Sequence, residues 1–177
     1  MILCIVGLPG SGKTQVARYL KKKRFFRISL GDFIRKELSD KKLKRTKKID
    51  SLISLFFHRV GKDVLLAKQS VDFLKKTKYK NAIIDGCRDM REVNYIKKHM
   101  NDVYLVAVTC PTKLRYARQK GRKRFKTLTN EYLRERDERE ISYGVKKLIS
   151  KADYTIDNRG TMQQFEQKID TLIKKIE

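Results

Sequence analysis

The sequence predicts an α/β domain built on a parallel sheet, and three observations lead to that prediction. Short apolar runs such as Ile2–Val6 recur along the chain, and such runs are typical of strands buried on both faces. Helical patterns separate these runs, and strands that alternate with helices form parallel sheets. A glycine-rich turn follows the first strand and opens a helix, as in phosphate-binding α/β domains.

In the N-terminal half, apolar spacing defines the elements. After Ile2–Val6, one apolar face formed by Val16, Ala17 and Leu20 predicts a helix that runs to about Lys22. Phe25–Ile28 reads as the second strand. Further helices are predicted over 31–41, 47–59 and 62–76, from apolar residues that recur at helical spacing.

The C-terminal half continues the alternation. The predicted strands are Ala82–Asp85, Val103–Thr109 and Asp153–Ile156. Asn130 is the expected N-cap, and residues 121–129 are basic without periodicity, which favours a mobile loop. The predicted helices span 89–100, 112–120, 130–147 and 161–176.

Length and charge exclude several protein classes. The chain has 177 residues and a formal net charge of +24, so we expect one domain with a core and an anionic partner. A bias towards lysine on solvated faces would also give this charge. No apolar run approaches the roughly 20 residues of a membrane span. The 3 cysteines are far apart, which argues against disulfides and zinc. We expect a soluble, cytoplasmic protein.

The strongest motif is Gly7-x4-Gly12-Lys13-Thr14, a P-loop or Walker A sequence. Its glycines allow positive φ, so that successive N–H groups can face a phosphate. Lys13 would reach the β- and γ-phosphates and the Thr14 hydroxyl would bind Mg²⁺. The motif predicts ATP and Mg²⁺ as cofactors. The expected nucleotide-binding residues are Gly7, Pro9, Gly10, Ser11, Gly12, Lys13, Thr14 and Gln15.

The segment Ser29-Leu-Gly31-Asp32-Phe-Ile-Arg35 resembles the acceptor-binding segment of adenylate kinases. The resemblance implies that Arg35 binds the acceptor phosphate beside Gly31. It also implies that Asp32 faces the metal or the attacking oxygen. The alternative is that Asp32 only caps a helix and that Arg35 is a solvated surface residue.

The segment Ile83-Ile84-Asp85-Gly86-Cys87-Arg88 ends the third strand. Asp85 resembles a Walker B acid that holds Mg²⁺ through water. Gly86 and Arg88 resemble the Asp-Gly-x-x-Arg run of adenylate kinases, whose arginine contacts the acceptor phosphate. Arg88 comes one residue earlier than in that family, and Arg91 is the substitute one helical turn later.

Arginines around the basic loop resemble those of the adenylate kinase lid. The resemblance implies that Arg118 stacks on adenine, that Arg122 touches the triphosphate, and that Arg136 and Arg139 close over the transferring phosphoryl group. Such arginines neutralise charge in the transition state. The alternative is a solvated helix with a Glu135–Arg139 ion pair. We expect a small lid without zinc.

The segment 152–160 resembles the loop of dephospho-CoA kinases in which Asn158 would lie against the base. Taken together, the chain resembles an archaeal group of adenylate-kinase-related, dephospho-CoA-kinase-like P-loop kinases. The resemblance implies a three-layer fold with a five-stranded parallel sheet of order 2-3-1-4-5. It also implies one kinase domain over 1–177, with an acceptor-binding helical segment at 31–77 and a lid at 118–139.

These features predict a phosphotransferase that carries the γ-phosphoryl group of ATP to a nucleotide-like acceptor. A nucleoside monophosphate, AMP first, is the preferred acceptor, and dephospho-CoA is the second. The alternative class is an RNA- or ribosome-associated ATPase, which the +24 charge favours. No RNA-recognition motif with interleaved aromatics is visible. The acceptor, the choice between ATP and GTP, and the oligomeric state stay open.

Overall fold

The computed structural model describes residues 1–40, 63–121 and 128–177. Its centre is a five-stranded sheet of order β2-β3-β1-β4-β5 in which every neighbouring pair is parallel. The predicted fold class and strand order are therefore confirmed. The strands are β1 Ile2–Val6, β2 Phe26–Ser29, β3 Ala82–Asp85, β4 Val103–Thr109 and β5 Tyr154–Asp157.

Helices cover both faces of this sheet. Within the described ranges they are α1 Lys13–Lys22, α2 Leu30–Asp40, α3 Asp63–Lys76, α4 Met90–His99, α5 Thr112–Lys120, α6 Asn130–Ser142, α7 Val145–Ser150 and α8 Met162–Ile176. The helix predicted over 47–59 and most of the loop predicted over 121–129 lie outside the described residues. No helix in the described ranges is long and apolar enough to cross a membrane.

The single helix predicted over 130–147 is wrong. The structure breaks it at Gly144, whose φ of 105° cannot continue an α-helix, and α7 begins with the next residue. The predicted cap is also displaced by one residue. Thr129 caps α6 by accepting a hydrogen bond from the Tyr132 N–H, and Asn130 is the first residue of the helix.

Two apolar layers hold the sheet between its helices. On one face Cys4 and Ile84 are buried in the same core as α3, α4 and α7. On the other face Leu3 and Ile83 belong to a core that contains α1 and α8, including Phe165, which is 1% exposed. Full burial of one such side chain contributes about 1.5–3 kcal/mol. Packing on both faces gives the three-layer arrangement.

The parallel sheet brings the functional segments to one edge. All five strands end on the same side, so the loops that follow β1, β2, β3 and β4 meet there. In open α/β sheets this carboxyl edge is where ligands bind. The opposite edge carries the strand N-termini and the C-terminal ends of the helices that run back between the strands.

Candidate active site

The loop between β1 and α1 is held in a conformation that requires glycine. Gly7, Gly10 and Gly12 have φ values of 148°, 83° and 117°. A Cβ on Gly10 would lie 2.6 Å from the Arg115 carbonyl oxygen, and one on Gly12 would collide with the Asn158 amide. The loop therefore fits closely against α5 and against the segment after β5, with no space for a side chain at Gly10 or Gly12.

Polar groups in this loop are suited to an anion. The Lys13 ammonium donates hydrogen bonds to the carbonyls of Gly7, at 2.6 Å, and Leu8, at 3.3 Å. The Ser11 hydroxyl is buried without a hydrogen-bond partner in the described structure. Helix α1 has no acidic residue in its first turn and no side-chain cap at Gly12. These groups fit a polyphosphate, which would accept hydrogen bonds from the N–H groups, Ser11 and Lys13.

The charge of Lys13 depends on its surroundings. Burial lowers its pKa below the ordinary value, while the Asp85 and Glu140 carboxylates raise it in part. The nearby guanidinium groups of Arg88 and Arg136 lower it further. A bound polyphosphate would add negative charge at this point and favour the charged ammonium.

Two oxygen donors at this edge suit Mg²⁺. Thr14 is exposed in the first turn of α1, and Asp85, at the end of β3, is 8% exposed. Asp85 already accepts a hydrogen bond of 2.7 Å from Arg27 of β2. The described residues contain no group of three or more acidic, Cys or His side chains that could hold a metal. The magnesium that this motif implies would therefore take most of its oxygen ligands from phosphate and water, as Mg²⁺ commonly does.

Arg88 contacts a residue that the sequence did not single out. Its Nε and one terminal nitrogen donate to the two carboxylate oxygens of Glu140, at 2.9 and 3.2 Å. Burial alone would raise the pKa of Glu140, but Arg88, Lys13 and Arg136 outweigh it and lower that pKa. Arg91 instead pairs with Asp89, which caps its own helix, and its side chain is 58% exposed. Arg88 is thus the arginine of this segment that lies against α6.

A buried ion pair joins α6 to the phosphate loop. Arg115 of α5 donates two hydrogen bonds to Asp137 of α6, at 2.9 and 2.6 Å, and one to the Pro9 carbonyl at 3.0 Å. Both charged side chains are almost fully buried, at 3% and 9% exposure. The pair fixes the middle of α6 beside the loop.

A second connection reaches the lid arginines. The Gln119 amide donates to the Pro9 carbonyl at 3.1 Å, and its oxygen accepts from Arg136 at 3.0 Å. Arg139 is half-buried one helical turn later on α6. The pair considered as an alternative, Glu135–Arg139, is not among the ion pairs of the described residues. The i,i+4 pair that forms there is Arg134–Glu138, at 3.8 Å on the exposed face.

Arg118 and Asn158, which two separate resemblances assign to the nucleotide base, lie together in the structure. Arg118 donates to the Asn158 carbonyl at 3.1 Å and to the Cys110 sulfur at 3.2 Å. The Asn158 amide in turn donates to the Ser11 carbonyl at 2.7 Å. This corner is therefore attached to the phosphate loop itself.

The two segments of the predicted acceptor site also meet. Gly86 has a φ of 109°, and a Cβ placed there would lie 3.8 Å from the Gly31 nitrogen. Helix α2 begins at Leu30, so Asp32 is the third residue of the helix and lies inside its first turn. Arg35 follows one turn later on α2, but its side chain lies outside the described part of the structure, as does Arg122.

No local motif of the sequence indicates Arg27, Arg115, Gln119 or Glu140, although each contacts a residue of the candidate site. Each acts through a partner far away in the chain, such as Asp137 for Arg115 and Asp85 for Arg27. Strand register is the signal that would have indicated Arg27. Ser29 pairs with Asp85, and Arg27 lies two residues before Ser29 on the same face of the sheet.

The fold and the phosphate loop together define a P-loop domain with the sheet order of nucleotide and small-molecule kinases. Residues 3–142 match the AAA domain family. The chain is 32% identical to the UPF0200 protein of Thermococcus gammatolerans, over 99% of this chain and 95% of that protein. It is 33% identical to the UPF0200 protein of Pyrobaculum aerophilum, over 99% and 98%. The chain therefore carries an AAA domain and belongs to the UPF0200 family.

Solved structures show the same fold at low sequence identity. TT1252 from Thermus thermophilus superposes with a TM-score of 0.71 at 15% identity, covering 100% of this chain and 98% of that one. A shikimate kinase from Bacteroides thetaiotaomicron has a TM-score of 0.68 at 12% identity, with 99% and 98% coverage. The fold is therefore that of P-loop kinases. The narrower resemblance to adenylate and dephospho-CoA kinases stays a prediction.

Proposed function

We propose that this protein is an ATP-dependent phosphotransferase whose acceptor is a nucleoside monophosphate, with AMP as the first candidate. The observation that carries the proposal is the convergence of cations on one glycine loop. Lys13, Arg88 and Arg136 lie close enough for each arginine to influence the charge of the lysine. Such a cluster suits a reaction in which negative phosphates must be held together.

Each part of the site would have a distinct task. ATP would supply the phosphoryl group, and an oxygen of the acceptor phosphate would form the new bond to phosphorus as the bond to the ADP oxygen breaks. The loop N–H groups and Lys13 would bind the phosphates of ATP, with Thr14 and Asp85 on the side of Mg²⁺. Arg118 and Asn158 would contact the base. Gly31, Asp32, Arg35 and Gly86 would form the acceptor side.

The arginines of α6 would act on the transferring group. Arg136, with Arg139 and Arg122, would neutralise the negative charge that spreads over the phosphoryl oxygens. The attachment of α6 to Pro9 through Gln119 and Arg115 supports this role, because it holds the helix beside the loop. A covered site also excludes water, which otherwise competes as acceptor.

Arg88 bears on the identity of the acceptor. Its paired hydrogen bonds to Glu140 have the fork geometry that an arginine also offers to a phosphate. We infer that an acceptor phosphate would bind Arg88 in place of the Glu140 carboxylate. A monophosphate acceptor brings this phosphate and its own nucleophilic oxygen, so the transfer needs no strong base.

The alternative acceptor is the ribose hydroxyl of dephospho-CoA. The Asn158 loop, held against Ser11, favours it, because the resemblance to dephospho-CoA kinases rests on this segment. A hydroxyl acceptor needs a general base, and Asp32 would take that role. An RNA- or ribosome-stimulated ATPase is the remaining alternative.

The test is ADP release with Mg·ATP, measured side by side with AMP, other monophosphates, dephospho-CoA and RNA. We expect strong stimulation by a monophosphate, loss of turnover in Lys13→Ala, and a raised acceptor KM with a lower rate in Arg35→Ala. Arg136→Ala should lower kcat, whereas Arg134→Ala on the exposed face of the same helix is the matched control. Stimulation by RNA alone, or unchanged kinetics in Arg35→Ala with every accepted substrate, would contradict the proposal.

A further inference from the structure

Exposed cations gather at the end of the domain opposite the phosphate loop. Contacts beside the strand N-termini define this end: the Met1 amine, before β1, donates to the Lys80 carbonyl, before β3, at 2.9 Å, and Lys97 pairs with Asp153, just before β5. We call this surface the distal basic end. Its exposed members are Lys21, Lys22, Lys23, Arg24, Lys75, Lys76, Lys78, Lys80, Lys97, Lys98, Lys147, Lys151, Lys174 and Lys175.

Negative charge compensates this surface only in part, through Asp102, Asp153, Asp170 and Glu177. Lys23 pairs with Asp170 and Lys97 with Asp153, and no other member forms an ion pair with a carboxylate in the described residues. The helix dipole favours lysines in the last turn of a helix and so explains some members of this surface. The dipole does not explain Arg24, Lys78 or Lys80, which lie beyond the helix ends. The surface therefore has an excess of positive charge that the fold alone does not require.

A stack of aromatic rings lies within this surface. The Phe26 ring stacks on Tyr79, with centroids 4.1 Å apart and planes 20° from parallel. The Phe73 ring also stacks on Phe26, with centroids 5.4 Å apart and planes 22° from parallel. Tyr79 is 50% exposed and Phe73 is 37% exposed, and Tyr79 stands between Lys78 and Lys80 in the chain. The structure thus places exposed rings among lysines, an interleaving that was not evident from the sequence.

We propose that the distal basic end binds single-stranded nucleic acid, with phosphates on its lysines and a base stacked on Tyr79. Grooves that combine positive charge with exposed aromatic rings bind single strands in this way. A single strand fits better than a duplex, because only unpaired bases are free to stack on a protein ring. The surface is opposite the phosphate loop, so this inference does not depend on the proposed phosphotransferase activity.

The experiment measures binding of a fluorescein-labelled RNA of roughly 12 nucleotides, and of DNA with the same sequence, by anisotropy. Titrations run across about 50 to 200 mM KCl, because each neutralised phosphate contributes roughly 0.7 to the log–log salt slope of a single strand. The triple variant Lys75→Gln, Lys78→Gln and Lys80→Gln should weaken binding and reduce that slope by about 2. The control Lys36→Gln, Lys68→Gln and Lys113→Gln removes the same charge elsewhere and should bind like wild type.

Variants of Tyr79 distinguish the contribution of ring stacking to binding from the contribution of charge. Tyr79→Leu should weaken binding on the order of tenfold with the salt slope unchanged, and Tyr79→Phe should keep wild-type affinity. Lys13→Ala should bind the strand like wild type.

Four results would overturn the inference. They are the absence of saturable binding by wild type at low salt, equal losses in both triple variants, unchanged affinity in Tyr79→Leu, and displacement of the strand by duplex or by anionic phospholipid vesicles. Equal losses would mean that the attraction comes from net charge rather than from this surface. Apart from Lys13→Ala, these variants change exposed side chains, so loss of the fold is not expected to obscure the result.

Discussion

Replacing Asp137 by Asn should destabilise the protein strongly, because it leaves the Arg115 guanidinium buried without a counter-charge. The pair is 3% and 9% exposed and is joined by hydrogen bonds of 2.9 and 2.6 Å. Removing one partner of a buried ion pair typically costs about 3–5 kcal/mol. In a chain of this length that loss corresponds to a fall in Tm of about 6–20 °C.

The same reasoning predicts a partial rescue. The double variant Arg115→Met, Asp137→Leu removes both buried charges, and such replacements are often neutral or stabilising. The Pro9 carbonyl would lose the hydrogen bond from Arg115 but keep the one from Gln119, at 3.1 Å. We therefore expect the double variant to be more stable than Asp137→Asn.

Urea unfolding followed by circular dichroism measures these differences in the free energy of unfolding. Glu138→Gln on the exposed face of α6 is the control, since its ion pair with Arg134 is 3.8 Å long and largely solvated. It should change stability by less than about 0.5 kcal/mol. If Asp137→Asn cost no more than this control, the buried pair would not hold α6 against the loop.

The remaining predictions concern the loop and pH. Gly12→Ala should abolish the stabilisation by ATP that a thermal-shift assay measures. The φ of 117° at Gly12 disfavours a side chain, and the added Cβ would collide with Asn158. An ATP-dependent shift equal to that of wild type would contradict this prediction. Glu140 has a lowered pKa in the folded protein, so its ionised form contributes stability above the ordinary carboxyl pKa of 4.5 and loses it as pH falls through the lowered value. Urea titrations should therefore show that Glu140→Gln costs stability near neutral pH and little in acid; a pH-independent difference would mean that its ionisation is not coupled to folding.

Local sequence patterns were enough to predict most of the sheet. The bounds of β1, β3 and β4 agree with the predicted strands, because a continuous apolar run is typical of a strand buried on both faces. β2 and β5 begin one residue later than predicted, at Phe26 and Tyr154. Glycines predicted the local structure correctly in one place and not in another. The P-loop glycines were placed correctly, whereas the helix break at Gly144 was missed because a lone glycine within a helical pattern is compatible with either outcome.

Local motifs indicated the phosphate loop, and they indicated Arg118 and Asn158 separately. The contact between Arg118 and Asn158 is known only from the structure. Gln119 and Glu140 were missed, since each depends on a contact across the fold. Glu140 contacts Arg88 from 52 positions away, and no local pattern indicates such a pair. Charged residues on an apparently solvated helix can therefore be site residues, and only the three-dimensional arrangement distinguishes them.

The most direct test of the proposed activity is to follow the γ-phosphoryl group of labelled ATP in the presence of Mg²⁺ and AMP. Our interpretation predicts that the label appears in ADP formed from AMP, and that Lys13→Ala abolishes this transfer while circular dichroism shows an intact fold. Label found only in inorganic phosphate, at a rate that no monophosphate or dephospho-CoA changes, would contradict a phosphotransferase and identify the protein as an ATP hydrolase.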